Sequence, residues 1–440
     1  MTICIATSNY TPDIGGIATF SRRLAKILAT AGHTIIILTI DLTTEVIEPD
    51  SHEKIENNIL IIRLKKSFRT KYIYYKKYFK EGSIDAPYWI ATGLAMQEWI
   101  SNNYKSYNIN VIEASAYGGI GAFLIEKKYP PVLLSGHGAF FQYKQINKNK
   151  ENVQTKLVEK LELLAFKKAN GIISHSPLSK EDIEQYTTTK VHLARIAFLP
   201  DYNTMIDNDS ELLPDKKYAL VVGGLQQLKG TFALFDALNN IEFKQNDLTI
   251  IWAGSDHFYQ KTGRLMSVEL AIKYPDIWNK KIFWENNPSD FRLASLYKNA
   301  SFIIIPTIWE SFNVISLEAA FFKKAIIITE TTGSSYLFEH KENAIVIKPE
   351  DSQGLAKAIT ELNNSNELCL RLGEASYNSM TVYFSINKIA EERIGIYNKT
   401  INTDNQNTMH LDSSYFRPYT TSSRRIYFFC RKAIKKLINW

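Results

Sequence analysis

Two glutamates in the segment "IPTIWESFNVISLEAAFF" (305–322) are the first candidates for chemistry. A strand-like run ends just before Pro306, and the helix predicted after it is apolar nearly all round, with Glu318 in its middle. A buried carboxylate is costly unless hydrogen bonds satisfy it. Because Glu310 and Glu318 are about two helical turns apart, both can lie on one face. A diol such as a ribose would satisfy such a carboxylate, and so would a structural Lys or Arg.

A second candidate is the segment "VVGGLQQLKGTFAL", in which Gly223 and Gly224 follow a strand-like run and Lys229 and Gly230 open a helix. Backbone amides at a helix N-terminus together with a nearby ammonium group attract phosphate. The spacing fits neither the Walker loop nor the dinucleotide-binding fingerprint. The segment therefore predicts a phosphate contact of another kind, or a plain turn between strand and helix.

The elements that must position these residues fall into two blocks of alternating strands and helices. Strands of fully apolar, β-branched residues alternating with helices favour a parallel sheet covered on both faces. The strands of the first block are predicted at 2–8, 34–40, 58–64, 110–115, 132–136 and 171–176, and those of the second block at 218–224, 247–254, 281–285, 301–305, 325–330 and 344–349.

The polar segment 199–217 separates the blocks and is predicted to be a linker. We therefore expect an α/β protein with an N-terminal Rossmann-like domain (1–198), a C-terminal domain (218–400), and a linker plus tail (401–440). Two doubly wound domains joined in this way face each other across a cleft. Ligands of such sheets bind at the carboxyl ends of the strands.

Composition limits the class of protein. The 440 residues are 45% hydrophobic and 22% charged, as in a folded globular protein. Three scattered cysteines without metal-ligand spacing favour a reducing compartment over a disulfide framework. We expect neither a secretory signal peptide nor a membrane-spanning run. Most of the net charge of +7 lies in residues 411–440, which contain seven basic residues and one acidic residue.

With these segments taken in order, the chain resembles the retaining GT-B glycosyltransferases of family four (glycosyl transferases group 1). The two glutamates with seven residues between them, on a strand–turn–helix, resemble the donor-sugar motif of that family. The resemblance covers about residues 1–400 and includes these stretches: "NYTPDIGGIATFSRRLAKILATAGHTIIILT", "EASAYGGIGAFL", "GIISHSPLSKEDI", "VVGGLQQLKG", "IWAGS" and "AIVIKPEDSQGLAKAI".

The resemblance implies roles for nine residues toward a nucleotide-activated sugar. Glu318 would take the ribose hydroxyls and Glu310 would contact the donor sugar. Lys229 would neutralise the diphosphate as its bond to the sugar breaks, and His137 would lie at the reacting centre. The remaining donor-binding positions are the loop glycines and the amides at a helix start: Gly15, Gly16, Phe312, Asn313 and Val314. Transfer would retain the anomeric configuration and need no bound metal and no cofactor.

The chain departs from the family pattern at several positions. Gly224 stands where the family usually has an arginine, which removes one of two cations on the diphosphate. Asn313 replaces a usual glycine, Lys323-Lys324-Ala325 stands where Gly-x-Pro is common, and Ser334 replaces a second glycine after Gly333.

Two basic segments suggest surfaces for large partners. Residues 424–440, "RRIYFFCRKAIKKLINW", place an aromatic and aliphatic stripe opposite basic residues, which is typical of a helix lying on anionic lipid. A tail helix docked on its own domain or on a partner chain is the alternative. Residues 63–80 interleave Lys and Arg with Tyr and would touch membrane, a polyanionic acceptor or only solvent. The nearly neutral body argues against nucleic acid.

The function expected from the sequence is therefore a hexosyltransferase, cytoplasmic and peripheral at the inner face of the membrane. Its acceptor would be a glycan or a lipid-linked glycan in cell-surface polysaccharide biosynthesis. The alternatives are a non-catalytic GT-B scaffold subunit, which Gly224 supports, and another sugar-nucleotide enzyme on the same fold, such as an epimerase or phosphorylase.

Overall fold

A computed structural model describes residues 1–12, 15–41, 48–55, 58–79, 84–147, 149–199, 217–239, 248–403 and 411–416. These residues form two α/β domains, each built on a mainly parallel sheet with helices on both faces. The expected α/β architecture with two doubly wound domains is confirmed. The predicted linker lies almost entirely outside the described residues.

The bounds of the elements follow the chain. The strands are β1 (Thr2–Ala6), β2 (Thr34–Ile40), β3 (Ser51–Ile55), β4 (Ile59–Leu64), β5 (Ile109–Ser115), β6 (Val132–Ser135), β7 (Gly171–Ser174), β8 (Val191–Leu193), β9 (Tyr218–Val222), β10 (Thr249–Ala253), β11 (Phe258–Tyr259), β12 (Arg264–Leu265), β13 (Ile282–Glu285), β14 (Phe302–Ile305), β15 (Ala325–Thr329) and β16 (Ile345–Ile347). The α-helices are α1 (Gly16–Thr30), α2 (Lys66–Lys76), α3 (Ala86–Asn103), α4 (Phe140–Tyr143), α5 (Val153–Lys168), α6 (Pro177–Glu184), α7 (Thr231–Leu238), α8 (Met266–Lys273), α9 (Asp290–Asn299), α10 (Val314–Phe321), α11 (Ser352–Asn364), α12 (Asn366–Met380) and α13 (Ile386–Ile401).

The first sheet has the order β3-β4-β2-β1-β5-β6-β7-β8, and the second has the order β13-β10-β9-β14-β15-β16. The interior strands are buried on both faces, as their unbroken apolar runs predict; β2 is buried from its second residue to its last. The strand β3 pairs antiparallel with β4 at one edge. Its sequence, "SHEKI", has no apolar run, and no strand is predicted there.

The helix α13 follows the second domain in the chain but packs against α1 and β5 of the first. On it, Arg393 donates from Nη1 to Glu113 Oε1 over 3.1 Å, and the Tyr397 hydroxyl donates to the other oxygen of that carboxylate. Both charged side chains are fully buried, with 0% and 1% exposure. The final helix of the predicted second domain, 218–400, therefore packs on the first domain.

Residues 411–416 also return to the first domain. Leu411 and Phe416 are buried, and the Phe416 ring stacks 5.8 Å from that of Phe123. Residues 411–416, which belong to the predicted linker and tail (401–440), therefore pack on the first domain through these two apolar side chains. The proposed membrane segment 424–440 lies outside the described residues.

The basic segment 63–80 contains the end of β4 and all of α2, and several of its side chains make contacts within the protein. Phe68 and Tyr75 are buried, while Lys76 and the Tyr72 hydroxyl both donate to Asp85. This favours the solvated, packed helix over a membrane contact. None of the described helices combines the length and the apolar character needed to cross a bilayer.

Candidate active site

A cavity of about 550 Å³ lies between the two domains, where the loops after the strands of both sheets meet. Its size is that of a small-molecule site. The N-terminal residues of three helices line it: Gly16 of α1, Asp290 of α9 and Val314 of α10. The positive ends of helix dipoles and their free amides make such a cavity favourable for an anion.

The structure brings eight of the nine predicted site residues to this cavity. The lining residues among them are Gly15, Gly16, His137, Lys229, Glu310, Phe312, Val314 and Glu318. The exception is Asn313, which is fully buried behind the lining. Gly15 and Gly16 have open space where a side chain would project, so the loop presents bare backbone to the cavity.

Glu318 lies on the buried face of α10 and is 8% exposed. Its Oε1 accepts a hydrogen bond of 3.2 Å from Arg23 Nη2 of the first domain, and its Oε2 accepts one of 2.8 Å from the Tyr297 hydroxyl. A structural arginine therefore does pair with this carboxylate, as the alternative interpretation of the sequence allowed. Glu318 nevertheless is one of the residues that line the cavity.

Glu310 and Lys229 form an ion pair at the centre of the lining. The distance from Lys229 Nζ to Glu310 Oε2 is 2.8 Å, and Asn313 Nδ2 donates to the same oxygen over 2.6 Å. Asn313 also caps α10, because its Oδ1 accepts from the amide of Ser316. The asparagine in place of the usual glycine thus fixes Glu310 and the helix start together.

The loop that carries Lys229 is held against the segment that precedes Glu310. Gly230 has φ +71°, and a Cβ there would lie 1.8 Å from the carbonyl oxygen of Pro306. The amide of Ile308 donates to the carbonyl of Leu228 over 2.8 Å. Only glycine allows this close approach, which brings the ammonium group to the cavity.

His137 lies on the first-domain side of the cavity, with the Phe20 ring edge-on at 4.1 Å. Burial, together with the nearby Arg393, lowers the pKa of His137 to about 3. The neutral ring can donate one hydrogen bond and accept one, but it does not supply a cation at neutral pH.

A second histidine, His175, was not singled out from the sequence. Its ring stacks 5.6 Å from that of His137 and also lines the cavity. Burial lowers its pKa well below the usual range. Its position directly after the buried strand β7 is the signal that could have identified it.

The charges that line the cavity are balanced in pairs. Among the described lining residues, three cationic side chains each pair with a carboxylate, and two of the pairs join the domains. The pairs are Arg22–Asp290 (3.5 Å), Arg23–Glu318 (3.2 Å) and Lys229–Glu310 (2.8 Å). The arginines were missed because nothing in "SRRLAK" tells which domain its side chains face.

Comparison with known proteins agrees with this geometry. The model of the family described as glycosyl transferases group 1 matches residues 204–379. An uncharacterized glycosyltransferase of Methanocaldococcus jannaschii is 24% identical over 380 residues, which are 83% of this chain and 90% of that protein. The capsular polysaccharide biosynthesis glycosyltransferase CapM of Staphylococcus aureus is 24% identical over 207 residues, 46% of this chain and 51% of that protein.

Among solved structures, the sucrose-phosphate synthase of Thermosynechococcus elongatus superposes with a TM-score of 0.71 at 18% identity. The match covers 90% of this chain and 98% of that one. This likeness shows the shared fold and not a shared substrate. The chain therefore has the two-domain GT-B fold, and its residues 204–379 match the model of the group 1 glycosyl transferases.

Proposed function

We propose that the protein is a retaining hexosyltransferase. It moves a hexose-type sugar from a nucleotide-sugar donor to a glycan or lipid-linked acceptor in cell-surface polysaccharide biosynthesis. The observation that carries the proposal is the placement of Lys229, Glu310 and Glu318 around one cavity lined by helix N-termini. Such a cavity has groups for a diphosphate, a sugar and a ribose.

The donor would lie with its diphosphate near Lys229 and the start of α10. In the reaction, the bond from the anomeric carbon to the diphosphate oxygen breaks, and its electron pair stays on that oxygen. The acceptor hydroxyl oxygen forms the new bond to the anomeric carbon, and its proton passes to the oxygen of the departing diphosphate. Lys229 would stabilise the leaving group, and this stabilisation is strongest when the bond is nearly broken.

The acceptor would enter from the first-domain side. His137 and His175 face the cavity there, and the low pKa of each keeps the ring neutral. A neutral imidazole can orient a sugar or acceptor hydroxyl without repelling the lysine. The role of CapM in capsular polysaccharide biosynthesis, as its name states, supports a polysaccharide acceptor for this chain.

Attachment at the inner face of the membrane is part of the proposal. It rests on the basic amphipathic sequence of residues 424–440. A lipid-linked acceptor would then be held near the cleft. Co-sedimentation of the full chain, and of a chain ending at 416, with vesicles rich in anionic lipid tests this part. Equal binding of both chains would contradict it.

The scaffold alternative makes a different prediction for the same cavity. A scaffold would keep its three charge pairs closed and bind no donor, whereas a transferase must bind one. Calorimetric titration with UDP-, GDP- and ADP-sugars decides between them. Glu318→Ala is the test variant, and Glu374→Gln, which changes an exposed partner of Lys323, is the matched control.

Binding of one nucleotide class that the Glu318 variant loses and the control keeps would support transfer and name the donor. Absence of binding by the folded wild type would favour the scaffold. With an active donor identified, the anomeric configuration of the product, read by NMR coupling constants, tests retention.

A further inference from the structure

Among the described residues, the cavity lining has no cation left over for the charge that a donor would bring. Its three basic side chains are each matched by a carboxylate, so the formal charge of the described lining is zero when the histidines are neutral. A nucleotide-sugar diphosphate carries two negative charges and gains more as it leaves. A further group that can become positive near Lys229 would add to the stabilisation that the helix N-termini give.

His257 is at the place where this group is needed. It lines the cavity with Lys229, in the loop after β10. A Cβ built on Gly224 would lie 2.5 Å from His257 Nε2 and 2.6 Å from its Cδ2. The imidazole therefore fills the volume into which any side chain at position 224 would project. A side chain at position 224 would therefore require this exposed ring to move.

The ring is held in this position by its own loop. Nε2 lies 2.9 Å from the Ser255 hydroxyl, and the backbone carbonyl of His257 accepts from the amide of Met266 over 2.8 Å. The next residue back, Asp256, is tied to Ser267 at the start of α8. The side chain is thus pre-positioned, which lowers the entropy lost when it binds a ligand.

The charges that face the ring explain how it would respond to a ligand. Partial desolvation, the largest effect, lowers the pKa of His257; Asp256 raises it, and the Lys229 ammonium lowers it by a smaller amount than Asp256. The ring is therefore mostly neutral in the unliganded protein at pH 7. A diphosphate held by Lys229 would add negative charge beside the ring and favour its protonated form.

We propose that His257 is a diphosphate-binding residue that replaces the side chain absent at Gly224. It would donate a hydrogen bond to the diphosphate of the donor and, as an imidazolium, neutralise the leaving group together with Lys229. No bond to the histidine is made or broken. This inference rests on the proposed transferase function.

The test compares His257→Gln, His257→Ala and the double variant Gly224→Arg/His257→Ala, with His52→Gln on the edge strand β3 as control. Each is measured for affinity toward inorganic pyrophosphate and the nucleoside diphosphate, and for kcat and kcat/KM against pH. We expect His257→Ala, which removes the donor, to lower kcat/KM about 100-fold or more. His257→Gln keeps an N–H donor but cannot become positive, so its loss should be smaller and should arise from the missing charge. The alkaline decline in wild-type kcat that follows loss of the imidazolium proton should disappear in this variant.

The double variant distinguishes a diphosphate-binding histidine from one with only a structural role. Removing the ring opens the space for an arginine side chain at position 224, so the double variant should recover at least a third of wild-type kcat/KM and show no histidine-dependent decline. If the wild type is active and His257→Gln has the same affinity, rate and pH profile, the inference about His257 is wrong, but the proposed function is not affected. A wild type that binds neither pyrophosphate nor any nucleoside diphosphate would overturn the proposed function as well.

Discussion

The replacement of Glu318 by glutamine tests whether this carboxylate binds a ribose or only joins the domains. In the structure Oε1 accepts from Arg23 at 3.2 Å and Oε2 accepts from the Tyr297 hydroxyl at 2.8 Å. Glu318 lines the cavity, and in the proposed complex its carboxylate would accept hydrogen bonds from two ribose hydroxyls. Glutamine keeps the size of the side chain but has one acceptor oxygen and no charge.

The expected magnitude follows from the number of contacts. Two hydrogen bonds to a charged acceptor contribute about 1.5–3 kcal/mol each, and one bond to a neutral amide contributes about 1 kcal/mol. Ribose binding also weakens the Arg23 contact, which offsets part of the gain. We therefore expect Glu318→Gln to weaken binding of a nucleoside diphosphate by about 2 kcal/mol, or roughly 30-fold.

The assay compares two ligands that differ only in the ribose hydroxyls, so that one is the control for the other. Calorimetry with the ribonucleoside diphosphate and its 2′,3′-dideoxy analogue gives the discrimination of wild type and variant. Wild type should prefer the ribose form by about 3 kcal/mol, or roughly 150-fold, and Glu318→Gln by about 1 kcal/mol, or roughly 5-fold. Arg23→Met removes the arginine that donates to Oε1 and should not reduce the preference for the ribose form. If Glu318→Gln weakens both ligands equally, the carboxylate serves the Arg23 pair and its assignment to the ribose is wrong.

Three further predictions concern the charges around the site. Lys229→Ala should lower kcat by about 100-fold or more with a smaller change in KM, because the lysine acts on the leaving diphosphate; steady-state kinetics in which only KM rises would contradict this. Since the pKa of His137 falls from an ordinary 6.5 to about 3 on folding, its contribution to stability is complete above pH 6.5 and is lost as the pH drops toward 3. Urea unfolding of His137→Gln should therefore depend less on pH in that window than wild type, and an unchanged dependence would count against it. Arg393→Met should lower the free energy of unfolding in urea by about 3–5 kcal/mol, because it leaves the buried Glu113 carboxylate without its cation. The double variant with Glu113→Gln should recover much of this stability. If the losses of the two single variants simply add in the double variant, the pairing is refuted.

The strands were predictable because burial on both faces leaves an unbroken apolar run in the sequence. The runs at 34–40, 301–305 and 325–330 lie within a residue of β2, β14 and β15. The edge strands β3 and β8 were not predicted, since an edge needs little burial and "SHEKI" and "VHL" carry no such run. Whether an edge strand forms depends on the strand beside it, which cannot be predicted from the local sequence alone.

The site was predictable where one loop holds all its parts. Glu310, Asn313 and Glu318 share a strand–turn–helix, so their relation is local. The partners of these residues lie far away: Arg23 is 295 positions from Glu318 in the chain. Such a contact depends on how the two domains face each other, which neither periodicity nor spacing contains. The ring of His257 over Gly224 was missed for the same reason, because it joins two separate loops.

The return of α13 to the first domain has a consequence for the order in which the protein folds during synthesis. Glu113 has left the ribosome long before Arg393 is made, and roughly 10–60 s pass between the two residues at ordinary elongation rates. Until then the first domain has a carboxylate in its core without its cation and an uncovered face beside β5. We expect the nascent first domain to stay loosely packed and dependent on chaperones until the second domain is nearly complete. A first domain expressed without α13 should share this fate.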